Sequence, residues 1–89
     1  MDAEWIIRLE GRVQGVGLRG SVSRAAHMYQ IRGYARNCSD GSVEICAQGT
    51  AQHLERFLDT LRHRPGIGTI KTSFERGLIS RPYHSFDIF

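Results

Sequence analysis

Lysine is nearly absent from this chain: Lys71 is the only one among 89 residues, and the net charge of +3 rests almost wholly on arginine. The basic residues are scattered, without a dense block, which excludes a long nucleic-acid-binding stripe. A modest positive field of this kind favours a small anionic ligand, whose local concentration it raises. No run approaches the ~20 consecutive apolar residues that a membrane span requires, and Met1-Asp2-Ala3-Glu4 is not the basic start of a secretory signal. A cytoplasmic protein is expected. Cysteine is scarce too: Cys38 and Cys46 show neither CxxC spacing nor a second pair that could complete a zinc site, so free thiols are expected. His27, His53, His63 and His84 lack metal-ligand spacing and read as solvated positions, so neither a metal nor another cofactor is expected. A chain of this length holds one core, and residues 1–89 are read as a single domain with one site.

What is present is a regular succession of patterns. From Glu4 to Glu10, Trp5, Ile7 and Leu9 alternate with charged residues, the period of a strand with one buried face, which Ile6 mildly interrupts. Leu18, Val22, Ala25, Ala26 and Tyr29 fall at helical spacing and predict a helix from about Gly20 to Gln30, ended by Gly33. Two strands follow, Gly33 to about Asn37 and Ser42 to Gln48, joined through Asp40-Gly41, a strong hairpin signal. In the second of them Val43, Ile45 and Ala47 share the core face, leaving Glu44, Cys46 and Gln48 on the other. Thr50 reads as the N-cap of a second helix built on Leu54, Phe57, Leu58 and Leu61 and terminated by Pro65-Gly66. Ile70, Thr72 and Phe74 mark a fourth strand, and Phe86 with Ile88 a short fifth. The order predicts an α+β fold of ferredoxin-like βαββαβ type, with two helices on one face of a mainly antiparallel sheet and a short extra C-terminal strand.

Between the first strand and the first helix lies Gly11-Arg12-Val13-Gln14-Gly15-Val16-Gly17-Leu18-Arg19. Glycines at 15 and 17 permit positive φ and can turn successive N–H groups toward one point, a nest for an anion at a helix N-terminus. Two glycines so spaced also occur in ordinary turns. Arg19 sharpens the reading: a bystander arginine there would oppose the helix dipole by roughly 0.3 to 1 kcal/mol, whereas a guanidinium facing a phosphate grips two of its oxygens. Gln14, Gly15, Val16, Gly17, Leu18 and Arg19 are therefore the candidate phosphate-binding residues.

With Gly33-Tyr34-Ala35-Arg36-Asn37 and Asp40-Gly41-Ser42-Val43-Glu44 added to that loop, the chain resembles the acylphosphatase family along nearly its full length. The resemblance implies hydrolysis of an acyl phosphate to a carboxylate and inorganic phosphate, with Arg19 and Asn37 as the catalytic residues. Leu18 stands where many members carry phenylalanine, and Gly20 where a side chain is more usual; neither change removes a catalytic atom.

The chemistry is coherent with these residue types. Phosphoryl transfer asks mainly for positioning and charge stabilisation, which a nest and one arginine supply. Asparagine cannot take a proton, so Asn37 would orient the attacking water through its amide. A carboxylate leaving group, with a conjugate acid of pKa about 4, departs without a general acid. The loop lacks the Lys-Ser/Thr ending of a nucleotide P-loop, so no bound Mg²⁺ is implied. The partner expected is a small-molecule acyl phosphate, for a monomer that engages neither nucleic acid nor membrane. Base stacking on the sheet is disfavoured because Glu4, Ile6, Arg8, Glu44 and Cys46 occupy the face away from the helices. The alternative reading is a non-catalytic regulatory domain that binds an acyl phosphate or another anion without turning it over.

Overall fold

The computed structural model describes residues 2–11, 18–63 and 71–89. Its elements are β1 (Asp2–Glu10), α1 (Leu18–Met28), β2 (Arg32–Asn37), β3 (Val43–Thr50), α2 (Ala51–Arg62), β4 (Lys71–Gly77) and β5 (Phe86–Ile88). The strands form one sheet in the order β4-β1-β3-β2-β5. Every neighbouring pair is antiparallel except β2 with β5, which run parallel. This is the ferredoxin-like α+β arrangement read from the patterns.

Alternation makes the two central strands. Trp5, Ile7 and Leu9 on β1 lie opposite Ala47, Ile45 and Val43 on β3, and all six are buried on the helix side. The helices close that face with Leu18, Val22, Ala25 and Ala26 from α1 and Leu54, Phe57, Leu58 and Leu61 from α2. Thr50 caps α2 as expected, its hydroxyl accepting the His53 N–H at 3.2 Å.

The first helix differs from its predicted bounds at both ends. It starts at Leu18, whose side chain is buried among the core residues and so holds the first turn in place. It ends at Met28, before Gly33, because Gln30 adopts a left-handed φ of 57° and sends the chain back: the N–H of Ile31 donates to the carbonyl of Ala26 at 2.8 Å and that of Gln30 to His27. That pairing closes a helix end in the manner usually left to glycine. Gly33 lies instead within β2. At the end of α2 the described cap is His63, while Pro65-Gly66, together with Ile70, lies outside the described residues.

The face away from the helices is less open than its polar residues suggested. Gln48 is fully buried there: its amide nitrogen donates to Glu4 at 2.9 Å and to the carbonyl of Arg81 at 2.7 Å, and its oxygen accepts the N–H of Tyr83 at 2.9 Å. The segment leading to β5 is thus clipped across the sheet. Three aromatics meet alongside it, Tyr34 packing edge-on against both Tyr83 and Phe89. Cys46 is buried beside Glu4, its thiol 3.4 Å from the carboxylate. Burial first, and the Glu4 charge second, raise that thiol from an ordinary 9.0 to about 12. Above pH 9 the unfolded chain therefore holds fewer protons than the folded one, and stability falls with rising pH by at most about 1.4 kcal/mol per unit from this group. Cys46→Ala is expected to flatten that slope in urea unfolding between pH 9 and the ordinary tyrosine value of 10.0. An unchanged slope would show that the thiol is not its source.

Candidate active site

Leu18 and Arg19 occupy the first turn of α1, with Leu18 buried and Arg19 exposed. The α1 first turn carries no acidic residue. The Arg19 guanidinium donates through Nη1 to the main-chain oxygen of Phe89 at 2.8 Å. The N–H of Phe89 in turn donates to the carbonyl of Ala35 at 2.9 Å. Ala35 lies on β2, and Asn37 lies two residues further along the same strand on the same side, opposite the core residue Val43. Two hydrogen bonds therefore lead from the helix that carries Arg19 to the strand that carries Asn37, within about 7 Å of the asparagine along an extended chain. Gln14, Gly15, Val16 and Gly17 lie outside the described residues.

A guanidinium has five N–H donors in a plane. With Nη1 donating to Phe89, the guanidinium has further N–H donors that no described residue takes up, and the helix dipole at the start of α1 also favours negative charge. Asn37 is exposed at the end of β2. The turn that follows it is compact: the N–H of Cys38 donates to Ser42 at 2.8 Å and that of Gly41 to Cys38 at 3.1 Å, with Gly41 at φ 90°. Asp40 accepts both the N–H and the hydroxyl of Ser42, at 3.0 and 2.6 Å, and these bonds hold its carboxyl below the usual aspartate range. Cys38, next to Asn37, is half-buried.

Beneath the turn, on the face away from the helices, runs a charged network that residue spacing did not reveal. Glu44 accepts from Arg36 Nε and from the Tyr34 hydroxyl, each at 3.1 Å. Burial, then the Glu44 charge, pushes the Tyr34 hydroxyl up to about 12, and the bond to Glu44 raises the Arg36 guanidinium further. Arg8 reaches into this network from β1. No group of three or more His, Cys, Asp or Glu side chains is placed to hold a metal among the described residues, and no described helix is long and apolar enough to cross a membrane.

Known proteins resemble the chain in both sequence and fold. The sequence profile of the acylphosphatase family matches residues 5–88. The acylphosphatase of Burkholderia ambifaria is 40% identical over 83 residues, which cover 92% of this chain and 85% of that protein. That of Paraburkholderia xenovorans is 38% identical over 84 residues, 93% of this chain and 87% of the relative. Among solved structures, the acylphosphatase from Bacillus subtilis superimposes with a TM-score of 0.81 at 32% identity, covering 98% of both chains. Full-length HypF in its phosphate- and nucleotide-bound form superimposes with a TM-score of 0.90 at 26% identity, covering this whole chain but 12% of HypF.

Proposed function

The chain belongs to the acylphosphatase family and is a hydrolase acting on acid anhydrides; we propose that it cleaves acyl phosphates without a metal, with Arg19 and Asn37 as its catalytic residues. The observation that carries this reading is the placement of the Arg19 guanidinium, tied through Phe89 to β2 just short of Asn37. In the proposed reaction the free N–H groups of Arg19 and the main-chain amides of 14–19 hold the phosphoryl oxygens and neutralise the charge that spreads over them. Asn37 holds a water in line with the bond to the acyl oxygen. The water oxygen bonds to phosphorus as the P–O bond to the acyl group breaks, the carboxylate leaves with the electron pair, and a phosphate oxygen takes the water proton. No side chain need act as an acid, because the carboxylate leaving group is a weak base, and none need act as a base, because a phosphate oxygen takes the proton. A monomer taking a small-molecule acyl phosphate, and neither nucleic acid nor membrane, fits this chemistry.

Steady-state hydrolysis of benzoyl phosphate, carbamoyl phosphate and p-nitrophenyl phosphate in the presence of EDTA tests the proposal. Both acyl phosphates are expected to turn over and the monoester, which must leave as an oxyanion of higher pKa, to turn over poorly. Asn37→Ala is expected to lower kcat by about a hundredfold or more while leaving the inhibition constant of inorganic phosphate nearly unchanged. A fully active Asn37→Ala enzyme would refute the water-holding role. Phosphate binding with no turnover of any acyl phosphate by the unaltered protein would return the reading to an anion-binding regulatory domain.

A further inference from the structure

We infer that Arg8 is a positioning residue for the reaction, acting from behind the sheet by clasping the turn that carries Asn37. Arg8 stands on β1, which is not joined to that turn in sequence, and its side chain lies on the face opposite the helices. Its Nη1 donates to the Ser42 hydroxyl at 2.8 Å and to Asp40 Oδ2 at 3.3 Å, while Nη2 lies 3.9 Å from Glu44 Oε2. The Ser42 hydroxyl passes the contact on, donating to Asp40 Oδ1 at 2.6 Å. One guanidinium therefore spans three residues of the segment 40–44, and the same segment holds the N–H of Cys38, the neighbour of Asn37, through the Ser42 carbonyl. The far side of Glu44 is held by Arg36, the other neighbour of Asn37. Asn37 is thus flanked on both sides by residues whose partners converge on the Arg8 network.

The exposed part of the network is suited to placing a group more than to holding up the fold. The Arg8 and Asp40 side chains are 39% and 63% exposed, and ion pairs in such surroundings contribute little to stability. A planar fork with two ends engaged fixes direction, which a lysine ammonium at the same place would not. An asparagine that only orients a water is sensitive to small displacements, since an error of about 1 Å in the reacting geometry is worth up to a hundredfold in rate.

The inference rests on the water-holding reading of Asn37, and its test separates the two. R8M and R8K are compared with the unaltered enzyme and with Asn37→Ala by benzoyl phosphate kinetics, by inhibition with inorganic phosphate, and by amide hydrogen exchange. R8M is expected to lower kcat about tenfold with the phosphate inhibition constant within twofold. It should also speed exchange at the Cys38 and Gly41 amides while the β1 and β3 amides keep their protection. R8K is expected to recover part of kcat, and R8M added to Asn37→Ala to cost nothing further. A fully active Asn37→Ala enzyme overturns the water-holding reading by itself. R8M with faster turn exchange and an unchanged kcat overturns the clasp alone, as does R8M with unchanged exchange, or one that weakens phosphate as much as it slows turnover.

Discussion

Arg19→Ala is expected to lose benzoyl phosphate hydrolysis by a factor on the order of a thousand or more, and inorganic phosphate should no longer inhibit the residual rate. The size of the effect follows from the division of labour at the proposed site. With no side chain proposed to transfer a proton, charge stabilisation at the phosphoryl group is the main contribution the protein makes, and one guanidinium supplies most of it. Arg19→Lys is expected to fare little better. A lysine ammonium is a compact point charge, and it cannot hold the Phe89 oxygen in one direction while spanning two phosphate oxygens in another. Retention of more than a tenth of the rate by either variant, measured at saturating substrate, would remove Arg19 from the reaction.

Gly33→Ala should be strongly damaging to the fold. Gly33 sits in β2 with φ 136°, and a Cβ built there would stand 1.9 Å from the carbonyl oxygen of Cys46 and 2.8 Å from its carbonyl carbon. Both atoms belong to the backbone of the adjacent strand, so no side chain can swing aside. Backbone strain and the forced opening of β2 from β3 together should cost roughly 3 to 5 kcal/mol, enough to unfold much of the population of a small domain. Gly77→Ala is the control, since nothing lies within 4 Å of a Cβ at that position. Urea unfolding should show a midpoint far lower for the first variant and nearly unchanged for the second; equal midpoints would mean that β2 and β3 are not held as closely as described.

The two helices and the central strands were legible because their information is local. Trp5, Ile7 and Leu9 alternate in plain view, Thr50 stands before an amphipathic run, and Asp40-Gly41 announces the turn between β2 and β3. Boundaries were legible only where a local rule sets them. Gly33 looked like the stop of α1 because glycine usually takes the left-handed position, and Gln30 takes it instead. Alternation put Cys46 and Gln48 on the face away from the core, and it tells which side of a sheet a residue occupies and not that this side is covered, as it is over both. The candidate site divides in the same way. Arg19 and Asn37 stood out through the motif that contains them, whereas the contacts that tie this region together join residues far apart in sequence: Phe89 is 70 positions from Arg19, and Asp40 is 32 from Arg8. Such pairings leave no periodicity to read.

β5 is three residues long, lies at the rim of the sheet, and is bound to a single neighbour. Short marginal strands open at lower free energy than the interior of a domain. The main-chain oxygen that aims the Arg19 guanidinium therefore hangs from a strand with one neighbour, and the bearing of the cation depends on that strand staying paired with β2.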